Sequence, residues 1–394
     1  MTAQVKAVEQ STDAEFKSGQ VVTIASSHFI HDVYTAFVAP LLPLIIEKLS
    51  LTLTLAGSLT AMMQLPGLLN PFIGYLDDRI NLRFFVIFTP AVTATLMSSL
   101  GLAPNYWSLA VIMVLTGISV AAFHAPAPAM IGRISGNRIG TGMSIFMAFG
   151  ELARTVGPLI AVWGISLWGL EGISRLMVVG WATSLLMFWR LHAISGSPVK
   201  PKGIRGLTPY LLRLFLPLTG ILFLRLFLNV SLTTYLPIYM TEQGFDLQAA
   251  ALYLAWLEGA GVVGALLSGT ISDRLGRKTV LLFAFCASSL LTLIFLNTSG
   301  FWLYPILLLV GFTAISTGPI FLALVQDQLP LNRAVGNGLY LSISFILRSL
   351  AMVLVGLGGD HLGLQTAFVW SAIISLFAMP LVFLLPGSLR GVDS

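Results

Sequence analysis

The sequence predicts an all-α membrane protein in which twelve transmembrane helices form two pseudo-symmetric six-helix bundles. Three observations carry that expectation. Hydrophobic residues make up 56% of the chain and charged residues only 9%, with a mean hydropathy of +0.90. A soluble protein carries about 25% charged residues. Apolar stretches of membrane-spanning length recur along the whole chain, each near the roughly 20 residues that a bilayer core of about 30 Å requires. The third observation is a charged loop that occurs twice. Gly269 to Lys278 reads GTISDRLGRK and Gly74 to Arg83 reads GYLDDRINLR, 195 residues apart in a chain of 394. Gly74 then matches Gly269, Asp78 matches Asp273, Arg79 matches Arg274 and Arg83 matches Lys278. An offset of half the chain implies a duplicated six-helix unit.

In chain order, residues 1–19 are polar and mixed in charge, and read as a cytoplasmic tail. A signal peptide would need a basic start and a short apolar core. Helices are expected at about 20–46, 54–76, 84–103, 107–131, 140–168 and 174–195, which makes 20–195 the first bundle. The linker is 196–208, rich in Pro, Gly and cations. The second bundle, 209–386, holds helices at about 209–240, 248–270, 279–298, 301–326, 337–359 and 366–386, and 387–394 is a short tail. Prolines within many of these helices, among them Pro40, Pro43, Pro126 and Pro158, mark breaks that neighbouring helices or water must satisfy.

Orientation follows from the Lys/Arg bias. With the N-terminus inside, sixteen of the 21 basic residues fall on cytoplasmic segments and only Lys48 and Arg175 fall outside. Both termini are therefore expected in the cytoplasm, and the location expected is the inner (plasma) membrane. The basic residues are scattered over short loops, which excludes a nucleic-acid footprint. One cysteine, Cys286, excludes an internal disulfide or a Cys-based metal cluster. The chain has no Walker loop, HExxH or GxSxG pattern, so neither an enzyme nor a cofactor is expected.

Ionisable groups within the spans cost at least about 2.5–3.5 kcal/mol each, so each is a candidate for function. They are His28, His31, Asp32, His124, Glu151, Arg154, Arg225, Glu258 and Arg348. His28 and Asp32 share one face of the first helix, four residues apart. A carboxylate beside an imidazole can load and release a proton, which makes Asp32 and His28 proton-coupling candidates alongside Glu151 and His124. A purely structural hydrogen bond between Asp32 and His28 is the competing reading. Glu151 and Arg154 are spaced to pair along the fifth helix, as a site or as a self-neutralised structural pair, and Arg348 could compete for Glu151. Arg225 and Asn229 stand 197 residues after His28 and Asp32, and are near-equivalents of them under the repeat. Arg225, Asn229, Arg154, Arg348 and Glu258 are candidates for binding substrate. His28, His31 and Asp32 also invite a metal reading, but three ligands on one helical turn seldom converge, so no metal is expected.

The loop at Gly269, Asp273, Arg274, Gly276, Arg277 and Lys278, with its earlier copy at Gly74, Asp78, Arg79 and Arg83, resembles the signature between helices two and three of the major facilitator superfamily. The first copy departs from it where Asn81 replaces the second glycine and Leu82 replaces an arginine. The resemblance covers the full length. It implies the major facilitator fold, with helices one, four, seven and ten lining a central cavity, so that Arg225 would face Asp32 or an anionic substrate group. It also implies alternating access, with the loops latching the two halves when the cytoplasmic side is closed. HFIHDVYTAFVAPLLP at 28–43, the stretch Phe123-His124-Ala125-Pro126 and Gly157-Pro158 resemble fosmidomycin-resistance-type exporters more narrowly. Ala125 interrupts the His-Pro pair of that group, and Glu151 and Arg154 stand where it carries small or neutral residues. The expected function is secondary transport of a small solute, with protons as coupling ion and export favoured by the narrower resemblance. The alternatives are a proton-coupled importer of an organic anion and a receptor or scaffold without transport. The protein is expected to act as a monomer in the lipid bilayer.

The latch implied by the resemblance gives a first prediction. Asp273→Asn should weaken the cytoplasm-closed state by about 1 kcal/mol, about fivefold in population. Cysteines placed in the cytoplasmic cavity should then be alkylated faster; unchanged rates would count against the latch.

Overall fold

The computed structural model describes residues 16–77, 80, 82–192, 208–329 and 333–386, and every regular element among them is helical. Ten stretches are long and apolar enough to cross a membrane. One of them, Thr141–Leu191, doubles back at Gly169, whose φ of +71° breaks the helix, and so makes two passes. Residues 53–77 supply a further, broken pass. The arrangement is consistent with twelve passes, labelled here α1 (Ser18–Leu49), α2 (53–77), α3 (Arg83–Ser98), α4 (Tyr106–Ile134), α5 (Ile139–Gly172), α6 (Met177–Leu191), α7 (208–242), α8 (Leu247–Leu275), α9 (Arg277–Phe295), α10 (Gly300–Gln328), α11 (Arg333–Leu362) and α12 (Leu364–Val382). Residues 1–15, most of the 196–208 linker, Asp78, Arg79 and the 387–394 tail lie outside the described residues.

Breaks fall where the backbone chemistry puts them. α1 is interrupted after Thr35, shortly before Pro40, which has no N–H to continue the ladder. α4 ends its first piece at His124 and restarts at Pro126, where a missing N–H costs nothing. In α7 the residues Ser231–Tyr235 form a π turn, a local widening found often at functional sites.

The two bundles join asymmetrically. At the end bearing the turns near residues 50 and 363, one buried core contains Leu41, Leu42 and Leu59 of the first bundle together with Leu228, Tyr235 and Met352 of the second. At the opposite end, which receives the turn at Gly276, each bundle has its own core, one around Phe123 and Phe146 and one around Phe285 and Phe321. The shared end is therefore closed and the other end is where the halves part.

The closed end is sealed by backbone rather than by apolar bulk alone. α2 and α11 approach so closely at Gly57 that a Cβ there would collide with the Tyr235 hydroxyl and the Met352 carbonyl. The Tyr235 hydroxyl donates to the Met352 oxygen at 2.6 Å, with the Leu53 oxygen at 3.2 Å. Asp360 of α11 accepts from the backbone N–H groups of Leu53 (2.7 Å) and Thr54 (2.8 Å) and from the Thr54 hydroxyl (2.5 Å). Those N–H groups belong to the first turn of α2, which has no partners of its own within the helix. A carboxylate of one half thus caps a helix of the other, with the helix dipole adding attraction.

Asp360→Ala should remove about 1 kcal/mol of this seal. In a Cys286→Ser background, Ala61→Cys, which lies on α2 under the seal where the Ser349 hydroxyl reaches the Ala61 oxygen, should then react several-fold faster with a thiol reagent added from the closed end. An unchanged rate would show that apolar packing alone holds the halves together.

Candidate functional site

The most concentrated polar site lies between α1, α4 and α5 of the first bundle. His28 is 4% exposed and stacks on the ring of Phe146 (4.0 Å between centroids), with the Phe123 ring also close at 5.6 Å. The neighbouring turn of α5 carries Gly150, where any Cβ would run into the His28 imidazole. This ring is seated by a stack on one side and by a missing side chain on the other. Its Nδ1 lies 2.8 Å from the Phe146 carbonyl oxygen, and its Nε2 is 3.2 Å from Asp32 Oδ2.

His124 enters from the end of the first piece of α4. Its Nδ1 lies 3.0 Å from the Val120 carbonyl, and its Nε2 is 3.4 Å from Asp32 Oδ1 and 3.2 Å from His28 Nε2. The Asp32 side chain is 14% exposed and that of His124 31%, so the cluster is buried on the His28 side and open on the His124 side. His31 does not join it. It is fully buried and stacks on Phe123 at 4.5 Å. The third partner of the His28–Asp32 pair is therefore His124 on another helix, not the adjacent His31 on the same turn.

The second group straddles the two bundles. Glu151 and Arg154 of α5 form the ion pair that their spacing predicts. Across the seam, Glu258 of α8 is 9% exposed and within electrostatic reach of Arg154, Glu151 and Arg348. α5 and α8 meet closely here, since a Cβ on Gly259 would stand 3.2 Å from the Thr155 methyl group.

In the second bundle, Arg348 of α11 donates from Nη1 to Asn229 Oδ1 at 2.8 Å and from Nη2 to Thr233 Oγ1 at 2.9 Å. It does not compete for Glu151. Arg225 lies over the Phe321 ring at 5.6 Å, with Nη2 3.4 Å from the Ala314 carbonyl oxygen. Of the two groups that the family resemblance set opposite Arg225, Asp32 or a substrate anion, Asp32 is not paired with it: Asp32 lies against the two imidazoles, and Arg225 against α10. Thr233, one turn beyond Asn229, was not singled out by the sequence, and only its spacing from Asn229 hinted at a shared face.

The second charged loop closes on itself. Arg277 pairs with Asp273 at 2.6 Å and donates to Asp327 of α10 at 3.3 Å, and it also donates to the Ser272 hydroxyl and to the Gly269 carbonyl at 3.3 Å. Gly276 has φ of +90°, a left-handed turn that needs glycine, and it joins α8 to α9. Lys278 reaches the Phe383 carbonyl at 3.4 Å. Asp273 is thus held inside its own bundle, without a partner from the other half among the described residues. In the first copy, Gly74 lies in the last helical piece of α2 and the Arg83 guanidinium lies 4.9 Å from the Phe84 ring.

The arrangement has transporter relatives in sequence and in fold. The Fosmidomycin resistance protein of Escherichia coli (strain K12) is 25% identical over 387 residues, covering 96% of this chain and 95% of its own. The fold matches a bacterial homolog of the human lysosomal transporter Spinster in an inward-facing and occupied conformation, with a TM-score of 0.77 at 16% identity, covering 94% of this chain and 96% of that one. A D-xylose-proton symporter matches with a TM-score of 0.75 at 14% identity, over 95% of this chain and 99% of its own. Residues 24–352 match the family described as the Major Facilitator Superfamily. With that match across most of its length, this multi-pass membrane protein belongs to the Major Facilitator Superfamily, whose members are carriers and not enzymes.

Proposed function

We propose that the protein exports a small solute across the inner membrane in exchange for protons, as a monomer with both termini in the cytoplasm. The observation that carries the reading is the Asp32 carboxylate set between two imidazoles, His28 and His124, at 3.2 and 3.4 Å. A carboxylate flanked by two titratable rings takes and gives up a proton as access alternates, because a change in exposure changes the cost of the charge. The 25%-identical Fosmidomycin resistance protein supports export.

The bundles 20–195 and 209–386 would rock about the seam where α2 meets α11 and α5 meets α8. Glu151, Arg154 and Glu258 stand at that seam, so their pairing is expected to change as the halves move. Arg348, Asn229, Thr233 and Arg225 supply donors for an acidic group on the solute. That donor set also favours a second reading, import of an organic anion together with protons, which differs only in the direction of the proton relative to the solute.

Two predictions follow from this division of labour. Asp32→Asn should abolish solute-driven proton movement in proteoliposomes containing a pH-sensitive dye, while the protein stays folded and monodisperse. Normal proton flux in that variant would remove the coupling assignment, and flux in the same direction as the solute would replace export with import. Arg348→Lys keeps the charge but loses the two-pronged geometry, and should weaken solute binding about tenfold. Unchanged affinity would place the solute elsewhere.

A further inference from the structure

We infer that His28, Asp32 and His124 form a binding site for a divalent transition-metal ion of the Zn2+ type, held by two imidazole Nε2 atoms and one carboxylate oxygen. Backbone carbonyls fix the tautomers of both rings. His28 Nδ1 faces the Phe146 carbonyl and His124 Nδ1 faces the Val120 carbonyl. A carbonyl oxygen only accepts, so both Nδ1 atoms carry hydrogen and a neutral ring presents a bare lone pair at Nε2. Those two Nε2 atoms are 3.2 Å apart, and each faces a different oxygen of Asp32, His28 at 3.2 Å from Oδ2 and His124 at 3.4 Å from Oδ1. Three electron-pair donors facing one another at that range repel unless a positive centre lies among them. One candidate is a proton on an imidazole. The other is a metal ion.

The separations fit the metal. Tetrahedral Zn2+ takes nitrogen and oxygen ligands at about 2.0–2.2 Å, which places ligand atoms about 3.3–3.6 Å from one another. The Nε2–Nε2 separation of 3.2 Å lies just under that edge length, and the Asp32 contacts of 3.2 and 3.4 Å are made by its two different oxygens, so a small turn of the carboxylate is needed to present one oxygen to an ion between the rings. The surroundings also match what metal-binding histidines use, an outer hydrogen bond from the second ring nitrogen that fixes tautomer and orientation. The stack of Phe146 and the vacancy at Gly150 fix the His28 plane further. The open side at His124 leaves a fourth position for water or solute, as in sites that keep one ligand exchangeable. The positive charge nearby, Arg154, is already paired with Glu151.

The metal site stands on this geometry alone. Its consequence rests on the proposed coupling role: an ion held at these three atoms excludes the proton, and so stops transport. Sequence spacing pointed away from a metal because it offered His31 as third ligand; the fold supplies His124 instead.

The test is to titrate the full-length protein in detergent with Co2+, whose tetrahedral complexes absorb strongly in the visible. One equivalent should bring up these bands and Zn2+ should abolish them. His124→Ala and Asp32→Asn should lose them, while His192→Ala, at an exposed histidine ending α6, should keep them. Gly150→Ala, which pushes a methyl group into the His28 ring, should lower affinity about tenfold with every ligand still present. If His124→Ala fails to fold, the readout becomes the melting temperature, raised by Zn2+ in the wild type and unmoved in Asp32→Asn. Absent bands, or bands that persist without His124, would overturn the inference. The two readings fail separately. No metal binding together with loss of proton flux in Asp32→Asn would remove only the metal site. Stoichiometric binding with proton flux undiminished by Zn2+ would remove only the coupling role.

Discussion

The structure depends on one constraint: a charge held between membrane helices has no water to answer it, so protein groups must do so. Several ionisable side chains within the spans meet that demand, each in a different way. Asp32 is flanked by two imidazoles, Glu151 and Arg154 answer each other, and Arg348 is bound by the amide of Asn229 and the hydroxyl of Thr233. Arg225 relies on a carbonyl and an aromatic face. The last two are cations whose hydrogen bonds go to neutral groups, and the Nε of each is buried without a hydrogen-bond partner among the described residues. Neutral partners solvate a cation but leave its charge uncancelled, so they suit a position where an anion comes and goes. A carboxylate partner would cancel the charge permanently and compete with the ligand.

The same constraint explains the seam. At the closed end the halves are joined by Asp360 over the first turn of α2 and by Tyr235 on backbone oxygens, with close contact at Gly57. Such contacts are individually modest, and they satisfy groups that water can also satisfy once the halves separate. A seal made of helix caps can therefore open without stranding a buried charge. Deeper in the seam, Glu258 faces Arg154 and Glu151 across the interface, where separation would change the electrostatic setting of all three. A carrier that alternates needs both kinds of contact, cheap ones at its rim and responsive ones at its centre.

Much of the fold was legible because it follows from hydropathy and from a repeat, both of which survive in one dimension. The expected spans agree with the described helices to within a few residues at most ends. Local pairs were legible too: His28 with Asp32 and Glu151 with Arg154 are neighbours on one helix, and helical periodicity alone brings them together. What could not be read were contacts between helices. His124 reaches Asp32 from 92 residues away because α4 breaks at Pro126 beside α1, and no periodicity encodes that approach. The resemblance offered Asp32 or a substrate anion as the group facing Arg225; Asp32 is not paired with it, and the repeat shows why. It makes Arg225 the positional equivalent of His28, but equivalence under a pseudo-twofold places two residues at matching depths, not in contact. Arg225 turned toward α10 because Phe321 and the Ala314 carbonyl lie there.

The division between halves bears on mechanism. The first bundle gathers a carboxylate and two imidazoles, and the second gathers the cations Arg225 and Arg348 with their neutral partners. Between them lie Glu151, Arg154 and Glu258, with Arg154 also within electrostatic reach of Asp32. In the proposed cycle a cation entering at Asp32 removes the negative charge that Arg154 feels, and frees that arginine to favour Glu258 across the seam. An anion bound at Arg348 acts from the other side, since Arg348 and Arg154 both act on Glu258. Coupling then needs no direct contact between proton and solute. It requires only that both ligands alter the charge facing one shared carboxylate, whose preference for one half or the other depends on which ligands are bound.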